Sequence, residues 1–261
     1  MPQGELNGWS YAYDDEGSGP AIVMLHGVLM NRTMWDRQID AFRGTNRVIA
    51  IDAPGHGGSA GVEVGIDFWR WADMVCGVLD QLGVDQAIWC GQSMGGFTAL
   101  RAALASADRV AGLILIDTQA HSEDEEKRAQ YEALLTVAME DGISEDLATV
   151  VQMILFSGIY AAKPGSELWR KKLMEVDVPA AHGMIRAVFD RDDVHDRLSE
   201  IDRPTVVIHG LEDVAIEPER AEEVARLLKA PYVPIAGAGH ASPVEEPDAI
   251  NAAVADYLAR L

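Results

Sequence analysis

At 261 residues, with 48% hydrophobic and 24% charged side chains, the chain is long enough to bury a substantial core as one large domain or one domain with an insertion. Its 42 acidic against 21 basic residues give a formal net charge of −21, which sets the surface against phosphate backbones and anionic headgroups and so against nucleic acid and membranes as partners. Cys76 and Cys90 have no histidine cluster near them in the sequence and no second pair, so they read as small buried hydrophobes rather than a disulfide framework or a metal site.

The opening MPQGELNGWSYAYDDEGSG lacks a basic stretch followed by an apolar one, and no run of roughly eighteen apolar residues occurs anywhere, so the sequence reads as cytoplasmic. Within it, Asn7-Gly8 tolerates the positive φ angles of a tight turn and predicts two short antiparallel strands. Continuous apolar runs of strand length follow at AIVMLH, RVIAID (47–52), QAIWCG (86–91), VAGLILID (110–117) and PTVVIHG (204–210), the pattern of strands buried on both faces of a parallel sheet. Between them Phe68, Trp71, Val75, Val78, Leu79 and Leu82 form an apolar stripe at helical spacing, and 97–105 and 219–229 also read as helix. Alternating strand and helix predicts an α/β fold with a doubly wound, mostly parallel sheet.

One region breaks the alternation. From Gln119 to Glu200 there is no strand-like run; EDEEKRAQYEALLTVAME, EDLATVVQMILF and ELWRKKLMEV each suggest a helix, with Pro164-Gly165 and Pro179 as punctuation. Some eighty residues exceed what a crossover needs, so the expectation is a helical cap at 119–200 inserted into a core domain of 1–118 and 201–261. Met139, Met153, Ile154, Leu155, Phe156, Met174, Met184 and Phe189 are expected mostly to bury the cap on the core, with a few lining an apolar pocket.

The segment QAIWCGQSMGGFTALRAAL is strand, turn and helix in the order that a nucleophile elbow requires. In Gly91-Gln92-Ser93-Met94-Gly95 the serine occupies a strained turn, and Gly91 and Gly95 avoid collision between strand and helix. A bare G-x-S-x-G turns up by chance in roughly one chain in ten of this size, so the flanking strand and helix carry the weight against a simple turn serine. A serine hydroxyl needs a base and the base an orienting acid; Asp213 follows the strand ending in IHGLED, and His240 lies in the loop of VPIAGAGHASP. Asp117, at the end of LILID, is the reserve acid, and Glu212 is the immediate neighbour of Asp213.

The chain order Ser93, Asp213, His240 on such a sheet resembles the α/β-hydrolase fold family over nearly the full length. The resemblance implies an eight-stranded sheet with the cap inserted. It also implies an oxyanion hole from the backbone N–H groups of Val28, after His26-Gly27, and Met94. Asp52-Ala53-Pro54-Gly55-His56-Gly57-Gly58-Ser59 is similar to the family's D-x-P-G-H-G-x-S structural turn, whereas the HGGG run of lipases is missing after Val28.

The expected activity is hydrolysis of a small to medium carboxylic ester or lactone through an acyl-enzyme. Within the family the motifs are most similar to carboxylesterases, enol-lactonases and cofactor-free haloperoxidases. An enol-lactonase or carbon–carbon bond hydrolase could use the same residues, and a non-catalytic small-ligand-binding protein could keep them without turnover. A dicarboxylate lactone would need a buried cation, for which Arg186 and Arg191 are candidates, with salt bridging as their simpler role. His121, His182 and His195 fall in the cap, where they either reach substrate or are idle. No cofactor, no metal, and no nucleic acid or membrane partner is expected; assembly into a homo-oligomer is left open.

Overall fold

The structure, a computed structural model, describes residues 2–261. Asn7 (φ 49°) and Gly8 (φ 83°) both take the left-handed conformation, giving the two-residue turn whose twist matches the strands on either side. That turn joins β1 (Gln3–Leu6) to β2 (Trp9–Gly17), with Leu6 opposite Trp9. The apolar runs become β3 (Ala21–Leu25), β4 (Arg47–Ile51), β5 (Ala87–Gln92), β6 (Val110–Ile116) and β7 (Thr205–Gly210), and β8 (Tyr232–Ile235) closes the sheet. The strand order is β1-β2-β4-β3-β5-β6-β7-β8; β1 and β2 pair antiparallel, as do β2 and β4, and every later pair is parallel. Helices cover both faces, so the central strands Ile22–Leu25, Val48–Ile51 and Leu113–Ile116 are buried residue after residue instead of alternating.

The remaining elements are helical. α1 (Asp36–Phe42) links β3 to β4, α2 (Phe68–Gln81) links β4 to β5, and α3 (Met94–Ala105) links β5 to β6. Phe68, Trp71, Val75, Val78 and Leu79 of the stripe are buried on α2, with Leu82 half-buried just past its end, and the Asp67 side chain caps the helix by accepting the Arg70 N–H. Between β6 and β7 lie α4 (Glu125–Asp141), α5 (Glu145–Leu155), α6 (Gly158–Ala161), α7 (Gly165–Met174) and α8 (Val178–Phe189); α9 (Pro218–Leu228), α10 (Ser242–Glu245) and α11 (Pro247–Leu258) complete the chain. Among the described residues no helix is long and apolar enough to cross a membrane.

Two sequence expectations need revision here. Helix α8 is not among the three helices read from the insertion. Pro179 opens it, seated in the first turn where its missing N–H costs nothing, while Asp177 caps the helix by accepting the Ala180 N–H. Met139, Met153 and Met174 do not pack inward: they lie exposed on the outer faces of α4, α5 and α7.

β3 has β4 on one side and β5 on the other, so the loops leaving β3 and β5 part company and open a crevice at the carboxyl ends of the strands. Two buried histidines lock the loops beside it. His26 donates through Nδ1 to the Gly27 carbonyl and accepts the Ala53 N–H on Nε2; His56 donates to the Pro54 carbonyl and accepts the Leu29 N–H at 3.1 Å. The loop after β3 thus holds the loop after β4, and the reverse. Asp52 anchors the second loop by accepting the Gly58 N–H and pairing with the buried Arg32.

Each of these imidazoles must be neutral to accept its N–H. Burial lowers both below the ordinary histidine value, His56 to about 3. The unfolded chain therefore binds protons first as pH falls below about 6.5, and stability that is complete above that value drains away toward pH 3. Urea unfolding of wild type should give a free energy that falls steadily over this interval, and His56→Gln should show a shallower slope within it.

Candidate active site

The turn between β5 and α3 is set by how closely the two elements approach. Ser93 adopts φ 50° and ψ −111°, a strained conformation for any residue with a side chain. Its amide donates to the Ile116 carbonyl on the neighbouring strand, and its own carbonyl accepts from Thr118 Oγ1 and the Phe97 N–H. A methyl group at Gly91 would lie 2.3 Å from the Gly95 carbonyl carbon, and one at Gly95 would lie 2.0 Å from the Leu25 carbonyl oxygen. Glycine is required at both positions by volume. Gly27 has a related role, because a methyl there would sit 2.0 Å from Gln92 Oε1.

Three residues distant in sequence meet at this turn. His240 Nε2 lies 2.9 Å from Ser93 Oγ, and His240 Nδ1 lies 2.8 Å from Asp213 Oδ2. All three are buried. Asp213 also accepts the Ala215 and Ile216 N–H groups on Oδ1, and His209 Nε2 stands 3.1 Å from its other oxygen. Burial alone would raise the Asp213 carboxyl, yet His240 and His209 outweigh it and hold the group well below the usual carboxylate range. Burial likewise opposes charge on His240, but the facing Asp213 carboxylate overrides it and raises the imidazole above its ordinary value.

Asp117, the reserve acid, is placed elsewhere. Its carboxylate accepts the Gly210 N–H on one oxygen and the Ser242 N–H and hydroxyl on the other, with no hydrogen bond to His240. Burial pushes it up to about 7. It joins the loops after β7 and β8 and does not orient the imidazole. Val28 lines the cavity above Ser93 and Met94 opens α3; neither backbone N–H is taken by a protein acceptor among the described residues.

Sequence reasoning missed the residues that hold the histidine loop. Gln92 Nε2 donates to the His240 carbonyl at 2.5 Å. Glu245 accepts the Gly239 N–H on one oxygen and the Ser157 N–H on the other, and the Ala241 N–H donates to the Leu155 carbonyl, so the end of α5 braces the loop from the opposite side. Gln92 stands inside the elbow motif, and that position is the signal that could have found it; Glu245 carries none.

A cavity of about 900 Å³, measured to the protein atoms and including its mouth, opens over Ser93 and His240. Its walls are apolar, among them Leu134, Leu147, Ile154 and Ile185 from the insertion and Phe97 and Ile216 from elsewhere. Of the two candidate cations, Arg186 faces outward to Glu132 and Asp190, while Arg191 lines the cavity with its charge answered by Glu123 at 2.9 Å. His121, His182 and His195 do not line it.

The family model for the alpha/beta hydrolase fold matches residues 20–247. The chain is 31% identical over 215 residues to a pimeloyl-[acyl-carrier protein] methyl ester esterase of Nitrosospira multiformis, covering 78% of this chain and 81% of that protein. It is 30% identical to a non-heme haloperoxidase of Rhodococcus erythropolis, with 97% of each covered. The crystal structure of the enol-lactonase from Burkholderia xenovorans superposes with a TM-score of 0.91 at 27% identity, covering 99% of this chain and all of that one.

The packing of the turn makes a stability prediction. Gly95→Ala should lower the unfolding free energy by about 1–3 kcal/mol in urea titration, because the Leu25 carbonyl it meets is backbone and cannot swing aside. Gly44→Ala, with nothing within 4 Å of the new methyl, should stay within about 0.5 kcal/mol of wild type.

Proposed function

Because the chain belongs to the alpha/beta hydrolase fold family, we propose that it cleaves a small to medium, largely apolar carboxylic ester or lactone through an acyl-enzyme on Ser93. The observation that carries this reading is the unbroken line of hydrogen-bond distances from Ser93 Oγ through His240 to Asp213 at the floor of an apolar cavity. Residues 119–200 act as a cap over that floor, and the rest of the chain is the core domain.

His240, with Nδ1–H directed at Asp213, accepts the Ser93 proton on Nε2 as Oγ attacks the acyl carbonyl. The carbonyl π pair moves onto oxygen, and the oxyanion is received by the free N–H groups of Val28 and Met94, the second helped by the positive end of α3. Collapse expels the alcohol, or the hydroxyl end of an opened lactone, which takes the proton from His240. Water then gives a proton to the same nitrogen as it attacks the acyl carbon; collapse of this second intermediate breaks the bond to Oγ, which takes the proton back from His240, and the carboxylic acid leaves.

The cavity chemistry favours an uncharged acyl portion. Arg191 carries its counter-ion with it, so a dicarboxylate lactone would leave one negative charge unanswered in an apolar wall. Two buried, unpaired cysteines and an acidic surface fit work on a dissolved small molecule in the cytoplasm.

With p-nitrophenyl acetate and butyrate, Ser93→Ala should lose about 10³-fold or more of kcat/KM, and fluorophosphonate labelling should disappear. Full turnover by that variant would sink the mechanism, and a wild type that neither labels nor turns over would make the protein a binding module. In the pH profile kcat/KM should rise with pH, because His240 acts as a base only when neutral. The midpoint should lie above about 6.5 given the raised imidazole. Asp213→Asn should move that midpoint downward together with a large loss of rate.

A further inference from the structure

Apart from Ser93 and His240, the cavity wall carries three polar side chains among the described residues: Glu123, Tyr131 and Arg191. Two of them are locked together. Arg191 is buried with its guanidinium 4.6 Å from the centre of the Phe97 ring; Nε donates to the His121 carbonyl at 2.8 Å, and Nη1 donates to the Val188 carbonyl and to Glu123 Oε2. Glu123 takes the Asp124 N–H on its other oxygen. The pair is fixed and electrically balanced before any substrate enters.

Two donors are left over. Arg191 Nη2 is buried with no partner. The Tyr131 hydroxyl also makes no hydrogen bond to the protein among the described residues. Tyr131 shares its face of α4 with Leu134, Leu135 and Ala138, which follow it at helical spacing and all line the cavity. Its ring stacks on that of Phe189, another wall residue, with centroids 6.0 Å apart. One turn earlier Lys127 ties α4 to the Ala215 carbonyl and to Glu217, in the loop that follows Asp213. The phenol is thus held in place by its neighbours on both sides. Burial, and then the charge of Glu123, push its hydroxyl up to about 12, so it keeps its proton and remains a donor throughout the neutral range.

The chemistry of the patch selects its acceptor. A carboxylate would bring its charge against Glu123, an ammonium would meet Arg191, and a plain hydrocarbon chain would leave both donors unmatched in a wall with little other polarity. An uncharged oxygen, as in a ketone, a hydroxyl or an amide carbonyl, answers them without adding charge. The acyl half of a substrate stays on Ser93 after the alcohol has left, so a fixed contact in the wall serves both chemical steps when it holds the acyl half.

We propose that Tyr131, backed by Arg191 and Glu123, is a specificity-determining residue that selects esters or lactones whose acyl chain carries an uncharged oxygen beyond the scissile carbonyl. The inference rests on the reading of Ser93 as nucleophile and narrows it. The apolar wall takes the carbon chain, and the patch fixes where along that chain the oxygen must lie.

The test compares p-nitrophenyl heptanoate with its three analogues that carry a ketone at the fourth, fifth or sixth carbon, each corrected for its rate in buffer alone. For wild type, kcat/KM for at least one ketone ester should exceed that for the plain ester by about 10-fold or more, because the plain chain leaves the donors unpaired. In Tyr131→Phe, shown to be folded by circular dichroism, that ratio should fall to about one, with the loss on the ketone ester lying mainly in KM. Calorimetry of wild type with heptanamide and its ketone analogues, which have no ester bond, should show the same preference in Kd. Equal treatment of plain and ketone chains at every position, or a preference that survives in Tyr131→Phe, would overturn the inference. Failure of the nucleophile reading looks different: Ser93→Ala would turn over both kinds of ester, or wild type neither, and the amide binding preference would still decide the role of Tyr131.

Discussion

The structure depends on how closely β5 and α3 approach at a single turn. Ser93 can hold φ 50° because the residues two before and two after it have no side chains, and because the turn is bonded on both sides, to Ile116 through its amide and to Thr118 through its carbonyl. The strained turn sets the Ser93 hydroxyl 2.9 Å from His240 Nε2 and leaves the first amide of α3 without a protein acceptor among the described residues. Everything else near the site is arranged around that fixed point.

Two buried aspartates show how environment divides one residue type into two roles. Asp213 receives two backbone N–H groups and faces two imidazoles, which keep it ionised against burial. Asp117, also fully buried, meets the backbone and hydroxyl of Ser242 and the backbone of Gly210; its carboxyl is raised and it ties strand ends together. The difference lies in partner charge, since both are equally removed from water.

The helical segment between β6 and β7 does more than line the cavity. It contributes most of the apolar wall, and through Leu155 and Ser157 it also braces the loop that carries His240. From the core side, α3 reaches back with Arg101, whose buried guanidinium binds the Asp192 carboxylate and carbonyl near the end of the insertion. The loop that carries the imidazole is thus braced from the end of α5 as well as from the core.

The sheet, the hairpin turn, the elbow and the chain order of Ser93, Asp213 and His240 were legible because each rests on local rules: apolar runs, a left-handed turn pair, glycines at fixed offsets. Helix α8 was not, because Pro179 reads as a stop until its place in the first turn is known. The turn position after its strand favoured Asp213 and left Asp117 in reserve, and in the fold it is the Asp213 carboxylate that meets His240 Nδ1. The meeting of His121 with Glu223, 102 positions away, has no sequence signature at all. The sequence by itself determined the elements and the turn that strains Ser93, because those forces act between neighbours. Which buried groups face one another was decided by the tertiary structure, because distance through space, and not along the chain, sets charge and hydrogen-bond pairing.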